Sequence, residues 1–412
     1  MRTVLYGLYL RFGLPIRTKI RHIRRIRKIQ KKGCANLVFL VSSLPMWRMQ
    51  FLLDLLLKDP RFHVSIILYP FCSFETEQKE SSILQLRSYF DSIGQEYIDA
   101  SERDDPADSL RGLNPDIIFY PQPYEALYCN GLEYNNYENQ LLCYIPYAYL
   151  SVNEAWSYNL RFHNIAWRLY YANETEYRYA LSAAQNKAKN VRITGATISD
   201  YFYAAKQKQK GDDSRKLIIW APHFSINEGA LLHRASFVTI YDKMLQLADK
   251  YQDKFIFVLK PHPRLISELY RHKDWGRERT DRYLKEWAGK PNTRMEFGGY
   301  IDLFQQSDAL IHDCGSFTIE YHFTKNPALF ISEDIKSTRD QLNELGQAAL
   351  DTHYIGKDID DIEKFLEDVI LHGNDPMQPK REAFFNQYLL PPNGKSAAEN
   401  IYDDLLKSLK FN

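Results

Sequence analysis

The sequence predicts an α/β protein built from two Rossmann-like domains that face a central cleft. Its 412 residues exceed what a single hydrophobic core usually needs. Strand-like and helix-like segments alternate along the chain, which is typical of βαβ units and a mostly parallel sheet. The alternation stops in the polar stretch 204–216, which has no apolar period, and then restarts. We therefore expect a first domain over 34–205, a linker over 206–215 and a second domain over 216–390.

A basic segment, residues 1–33, precedes the first domain. Residues 1–53 contain 12 Lys and Arg but no Asp or Glu. Isoleucines recur at spacings of three and four along one face of a predicted helix, at Ile16, Ile20, Ile23, Ile26 and Ile29. This pattern predicts that residues 11–32 lie on an anionic membrane surface, and the alternative is a helix docked on the protein by its isoleucines. No segment has the ~20 apolar residues needed to span a bilayer.

The elements of the first domain follow from apolar periodicity and turn residues. We predict strands at 36–42, 63–69, 96–100, 116–122, 141–150 and 191–195. Helices are predicted at 46–59, at 81–94, where a glycine closes the helix, and at 170–189.

The second domain repeats the alternation. Its predicted strands are 216–222, an apolar run from residue 255 that ends at Lys260, 309–312 and 328–331. Its predicted helices are 238–251, 281–288, one after the turn 313–316, and 362–371. A last helix is expected within 391–412.

The segment KPHPR, at the end of a buried strand, is a candidate phosphate site. Its two prolines restrict the backbone, so Lys260, His262 and Arg264 leave the strand in set directions. Lysine and arginine supply positive charge, and histidine supplies a donor or a proton carrier near neutral pH. The alternative is a turn whose charges are merely solvated.

A second candidate site is the strand–turn–helix unit SDALIHDCGSFTIEYHFTKNPALFI. Glycine lets a ligand approach the backbone, and the first amides of a helix face an anion favourably. The predicted donor-binding residues are Asp313, Cys314, Gly315, Ser316, Phe317 and Glu320. We expect Glu320 to accept hydrogen bonds from ribose hydroxyls, with a helix-capping role as the alternative. Because parallel strands end at a common edge, this unit and KPHPR are expected to form one site.

Three other side chains are weaker candidates. WAPHFS follows the first strand of the second domain, so His223 and Ser225 are expected at the same edge. His163 lies among aromatic residues, where a core role competes with a catalytic one.

The five cysteines form no CxxC pair, which favours a reducing compartment, and we expect no metal site. The sequence has neither a Walker A motif nor a strand-linked GxGxxG, which disfavours a P-loop kinase or an NAD enzyme.

These motifs resemble the CDP-glycerol glycerophosphotransferase family of teichoic-acid and capsule synthesis. The resemblance rests on KPHP, the strand–turn–helix unit and PPNGKSAAENI, and it covers residues 190–405. In that family the second unit reads like sDvliTDySSvifdf, and Asp308, Asp313, Ser316 and Glu320 fall on this pattern. Gly315 stands where the first serine usually lies, and WAPHF is similar to the family's yAPTWR segment.

The resemblance implies a GT-B architecture and a transferase that needs no cofactor. The donor would be a CDP-activated polyol phosphate (glycerol or ribitol), and the acceptor would be a hydroxyl of a glycan or lipid-linked molecule. The enzyme would lie in the cytoplasm, peripheral on the inner face of the cell membrane. His262 would contact the donor phosphates and take part in catalysis. The family's HGTP histidine, its proposed base, is replaced by YIPYAYL, so His163 is only a substitute candidate. No nucleic-acid partner is expected.

Two alternatives stay open at this point. One is a GT-B glycosyltransferase or sugar-nucleotide enzyme that uses a UDP- or CMP-sugar. The other is a catalytically degenerate scaffold of a polysaccharide-synthesis complex, which the missing HGTP histidine favours and the intact KPHP and DCGS segments disfavour.

Overall fold

The computed structural model describes residues 13–205, 214–226 and 235–411, and the chain divides into two compact units. Unit 1 extends to Ala148 and includes Glu154–Asp200 and the segment from Leu390, whereas unit 2 consists of Tyr149–Asn153 and Tyr201–Leu389. Residues 206–213 of the predicted linker and residues 1–12 of the predicted N-terminal segment lie outside the described residues.

Unit 1 contains a seven-stranded sheet with the order β3-β2-β1-β4-β5-β6-β7, and its neighbouring strands are all parallel. The strands are mostly apolar along their whole length because helices cover both faces of such a sheet. The strands are β1 (Ala35–Val41), β2 (Phe62–Leu68), β3 (Ile98–Asp99), β4 (Ile117–Tyr120), β5 (Leu141–Tyr144), β6 (Arg168–Tyr171) and β7 (Val191–Ile193).

The helices before the linker connect and cover these strands. They are α1 (Leu14–Lys32), α2 (Gln50–Leu57), α3 (Thr76–Ser92), α4 (Pro106–Gly112), α5 (Arg161–Ile165), α6 (Glu174–Ala183) and α7 (Thr197–Ala204). The C-terminal helix, Ala397–Leu409, also belongs to unit 1, where Ile401 and Leu405 join the apolar cluster around β1. The carboxylate of Asp200 accepts hydrogen bonds from the amides of Ala397 and Ala398 and so caps this helix.

The predicted long helix 170–189 is wrong. Tyr170 lies inside β6 and is buried, and the helix begins only at Glu174, where Asn173 accepts a hydrogen bond from the amide of Glu176. The helix ends at Ala183. Aromatic residues suit a buried strand as well as a helix, so their spacing did not distinguish the two structures.

The cysteine spacing did not predict the disulfide between Cys72 and Cys129, whose Cα atoms are 6.2 Å apart. The two residues are 57 positions apart in sequence. They follow β2 and β4, and the amide of Cys72 donates to the carbonyl of Leu127, so the loops at the carboxyl edge bring them together.

Unit 2 contains a six-stranded sheet with the order β10-β9-β8-β11-β12-β13, again with parallel neighbours. The strand order reverses at β8, which pairs with β9 on one side and β11 on the other. In open α/β sheets ligands bind at such a switch point, beyond the carboxyl ends of the strands. The strands are β8 (Lys216–Ala221), β9 (Phe255–Leu259), β10 (Thr293–Met295), β11 (Ala309–His312), β12 (Ala328–Ile331) and β13 (Tyr354–Gly356).

Helices pack against this sheet through large aromatic side chains. Trp220 of β8 stacks on Phe237 at 5.4 Å between ring centres and also contacts Trp287. The helices are α8 (Phe237–Lys250), α9 (Leu265–Arg271), α10 (Gly276–Ala288), α11 (Ile301–Gln306), α12 (Phe317–Glu320), α13 (Ile335–Gln341), α14 (Glu344–Leu350), α15 (Ile359–Lys364) and α16 (Gln378–Phe384).

Candidate functional site

Three of the predicted motifs meet at the switch point of unit 2. Strand register places Ala221 opposite His312, and Trp220 opposite Leu259. The segments that follow β8, β9 and β11 therefore leave the sheet side by side. These segments contain His223 and Ser225, the KPHPR residues, and the DCGS turn.

Asp313 holds this edge together. Its Oδ1 accepts a hydrogen bond from the amide of His223 at 2.6 Å. Its Oδ2 accepts from the amide and the hydroxyl of Ser236, at 2.7 and 2.8 Å. Hydrogen bonds to a carboxylate are among the stronger ones in proteins. The buried carboxylate of Asp313 thus positions two neighbouring segments.

Two imidazoles and an arginine form a row beside Asp313. The rings of His223 and His262 are 5.1 Å apart, and Phe224 packs on His262 at 4.5 Å. The guanidinium of Arg264 lies over the Phe224 ring at 4.2 Å and also pairs with Glu268. The structure therefore brings His223, His262 and Arg264 into one cluster.

The tautomer of His262 follows from its backbone contact. Its Nδ1 lies 3.1 Å from the amide of Arg264, which can only donate. Nδ1 therefore has the lone pair, and in the neutral ring the proton is on Nε2. Burial, and next the neighbouring His223, Arg264 and Lys260, lower the pKa of His262 to about 3. Near neutral pH this ring is an uncharged Nε2–H donor.

Burial also lowers the pKa of His223 and of the neighbouring Lys260. Nδ1 of His223 lies 2.8 Å from the hydroxyl of Ser225, and burial lowers the pKa of His223, although Asp313 opposes this shift. The ammonium of Lys260 is almost fully buried, and burial lowers its pKa. A buried cation with a lowered pKa gains stability when an anion binds beside it.

The DCGS turn leads into a very short helix. The α12 helix is a single turn, Phe317–Glu320, so its dipole is small and local amides are the main donors to an anion. The thiol of Cys314 is buried and donates to the carbonyl of Ala221 at 3.3 Å, which ties the turn to β8. Gly315 and Ser316 are half-buried.

Glu320 lies behind the turn. Its side chain is 0% exposed, and its Oε2 accepts a hydrogen bond of 2.5 Å from the hydroxyl of Tyr300. The Tyr300 ring packs against Phe317 at 5.0 Å. This hydrogen bond to Tyr300 does not cap the start of the helix, so it does not support the capping alternative. The ribose role of Glu320 stays a prediction.

His163 belongs to unit 1 and lies in its core. It is 2% exposed, its ring meets Tyr144 edge-on at 6.2 Å, and burial lowers its pKa to about 4. These contacts favour the core role that the sequence left open. A catalytic role for His163 stays a prediction.

Sequence reasoning missed a cluster of buried histidines behind the turn. His312, His322 and His353 contact one another through His353, with ring centres 5.2 Å apart in both pairs. Nδ1 of His312 is 3.3 Å from the amide of Cys314 and 3.2 Å from its carbonyl. In the part of the chain that the structure describes, no group of three or more His, Cys, Asp or Glu is placed to hold a metal ion.

Phe297 was also missed because it lies outside any motif. It is 57% exposed and follows β10, whose carboxyl end lies at the same edge as that of β9. An exposed aromatic ring at this edge offers a stacking face for a nucleotide base.

A family model described as CDP-Glycerol:Poly(glycerophosphate) glycerophosphotransferase matches residues 157–407. The chain belongs to this family. The resemblance is thereby confirmed, and with it a transferase of polyol phosphate from a CDP-activated donor. No curated protein matches the chain at the sequence level.

Solved structures share the GT-B-like fold. A histidine variant of the wall teichoic acid polymerase TagF is 14% identical, with 96% of this chain and 98% of that chain covered and a TM-score of 0.60. UDP-GlcNAc 2-epimerase from Neisseria meningitidis, bound to UDP-GlcNAc, is 16% identical, with coverage of 90% and 99% and a TM-score of 0.61. The S. aureus MnaA–UDP structure is 14% identical, with coverage of 92% and 98% and a TM-score of 0.59.

Proposed function

We propose that the carboxyl edge of the unit 2 sheet binds the diphosphate of a CDP-polyol donor. The observation that carries this proposal is the convergence of Lys260, His223, His262 and Arg264 beside the Gly315–Ser316 turn. The only acid in the three segments, Asp313, has both carboxylate oxygens engaged by neighbouring donors. The edge therefore presents donors and positive charge to an anion.

In the proposed reaction the acceptor hydroxyl oxygen attacks the β-phosphorus of the donor. A new phosphorus–oxygen bond forms, the bond from the β-phosphorus to the bridging oxygen breaks, and CMP leaves with that oxygen. Negative charge spreads over the phosphoryl oxygens in the transition state. Lys260 and the Nε2–H of His262 are suited to stabilise it, because prearranged donors in a partly buried site act strongly on developing charge.

The same geometry supports a donor role for His262 and disfavours the role of general base. A base needs a free lone pair, and the lone pair of His262 is taken by the amide of Arg264. When a diphosphate binds, the Nε2–H of His262 can donate a hydrogen bond to the bridging oxygen on which CMP leaves. The base that removes the acceptor proton then comes from another residue. His163 is the sequence-based candidate, and its burial disfavours it.

Nucleotide binding and CMP release test this proposal. The protein is titrated calorimetrically with CDP-glycerol, CDP-ribitol, a CMP-sugar and a UDP-sugar, and we expect only the CDP-polyols to bind tightly. H262A should reduce CMP release by about 100-fold or more because a transition-state donor is lost. The control is H372A, which removes an exposed histidine of the same unit and should leave the rate unchanged.

Two results would contradict the proposal in different ways. Binding of UDP-sugars but of no cytidine nucleotide would favour the sugar-nucleotide alternative. Normal CMP release by folded H262A would remove His262 from the mechanism while leaving the donor site in place.

We further propose that α1 holds the enzyme on the inner face of an anionic membrane. Its isoleucine stripe divides: Ile29 is fully buried in the core of unit 1, whereas Ile16, Ile20 and Ile23 are 61%, 43% and 39% exposed. Exposed basic residues flank these three isoleucines: Arg17, Lys19, Arg24, Arg27, Lys28, Lys31 and Lys32. An exposed apolar stripe with basic flanks suits the interface of an anionic bilayer.

Charge pairs hold α1 in place on unit 1. Arg25 pairs with Asp116 at 3.0 Å, and Arg21 pairs with Glu138.

Within the described part of the chain, no helix has the length and apolar character required to cross a bilayer. Flotation with liposomes tests the proposal: we expect recovery with anionic vesicles and little with neutral ones, and equal recovery would contradict it.

A further inference from the structure

A groove of about 540 Å³ runs along the exposed side of α1. Small-molecule sites typically have volumes of about 300–1,000 Å³, so the groove is large enough for more than a lone phosphate group. Side chains of three arginines, two isoleucines and one asparagine line it: Arg17, Arg21, Arg24, Ile16, Ile20 and Asn139.

The arginines of this groove differ in their partners. Arg21 is held by Glu138, which also pairs with Arg161, so Arg21 already has an acidic partner. Arg17 and Arg24 have no acidic partner among the residues that the structure describes. They are seven positions apart, which is close to two helical turns, so both project from one side of the helix. Among the described residues, the groove therefore has two guanidinium groups without an acidic partner.

Apolar side chains of the same helix line the groove beside these arginines. Ile16 and Ile20 are one turn apart and are the two most exposed isoleucines of α1, at 61% and 43%. A guanidinium binds phosphate oxygens in a planar, two-pronged manner, whereas isoleucine favours hydrocarbon. A ligand that satisfies both kinds of side chain has a phosphate joined to an alkyl chain.

We infer that this groove binds the phosphate headgroup of a single anionic membrane lipid. Arg17 and Arg24 contact the phosphate, and the first methylenes of the acyl chains lie along Ile16 and Ile20. The inference rests on the proposed membrane association of α1 and deepens it: binding depends on a defined pair of arginines and not only on the total charge of the helix.

Charge-matched double variants test the site. R17Q/R24Q removes the groove arginines, and K28Q/K31Q removes two exposed lysines of the same helix outside the groove. Both variants lose two positive charges, so diffuse attraction predicts equal weakening, roughly fivefold per charge. The groove predicts that R17Q/R24Q binds phosphatidylglycerol vesicles at least about tenfold more weakly than K28Q/K31Q does. Equal affinities of the two variants would overturn the site.

A second arm tests phosphate recognition. Vesicles of a phosphate-free galactosyldiacylglycerol carrier are matched in zeta potential but have either phosphatidylglycerol or oleate as the anion, so that only one set contains phosphate. The full-length protein should bind the phosphate vesicles more tightly, and R17Q/R24Q should abolish this preference. Thermal melting of both variants checks that the fold is intact.

The outcomes separate this inference from the proposals on which it rests. If the unaltered protein binds neutral and anionic vesicles equally, both the membrane proposal and the groove fall. If it prefers anionic vesicles but shows no preference for phosphate over oleate, only the groove falls. The donor site is assessed separately by nucleotide titration in solution, which needs no vesicles.

Discussion

Mild acid should destabilise unit 2 through its buried histidine cluster. His312, His322 and His353 are 1%, 2% and 2% exposed. Burial is the largest cause that lowers the pKa of each: to about 4 for His353 and well below 6.5 for the other two. The folded protein therefore keeps these rings neutral, whereas the unfolded chain binds protons as the pH falls below about 6.5.

The sign and size of the effect follow from this difference in proton binding. The contribution of each histidine to stability is complete above its unfolded pKa and is lost as the pH falls towards its folded pKa. Between about pH 7 and pH 5 His353, whose folded pKa is about 4, costs about 2 kcal/mol, and His312 and His322 add to the loss in the same direction. Domains are typically stable by about 5–15 kcal/mol, so this loss is large.

Urea unfolding at several pH values between about 5 and 7, followed by tryptophan fluorescence, measures the effect. The variant H353Q removes one titrating ring and should reduce the loss of unfolding free energy over this range by about 2 kcal/mol. H372Q alters an exposed histidine and serves as the control. If H353Q and the unaltered protein lose stability in parallel, His353 is not kept neutral by burial, and the reasoning is refuted.

Two further predictions concern buried carboxylates. D313N should weaken CMP binding about tenfold or more, because the charge-assisted hydrogen bonds that hold His223 and Ser236 weaken. Calorimetry measures the affinity, and D340N, at an exposed site, is the control. Unchanged affinity of D313N would show that Asp313 does not position the edge. D200A should lower the unfolding free energy of unit 1 by about 1–2 kcal/mol, because two amides at the start of the C-terminal helix lose their acceptor. Urea unfolding measures this loss, and the control is D403A, which alters an exposed residue of the same helix. If D200A were as stable as D403A, the prediction would be contradicted.

The local sequence pattern was sufficient to predict the strands that carry the candidate site. The strands before KPHPR and DCGS lie at Phe255–Leu259 and Ala309–His312, as apolar runs of strand length predict. Because these strands are parallel neighbours of β8, their carboxyl ends share an edge, and the residue types that follow indicate an anion site. The family resemblance was also contained in these short segments.

The sequence by itself determined which residues follow the strands, and only the tertiary structure decided what each one contacts. Asp313 binds His223 and Ser236, which are 90 and 77 positions away. His353 meets His312 only because β11, β12 and β13 lie side by side. The isoleucine stripe of α1 is continuous in sequence, yet contacts with unit 1 bury one end and leave the other exposed. Hydrogen-bond partners and burial depend on sheet order and long-range packing, which no local spacing contains.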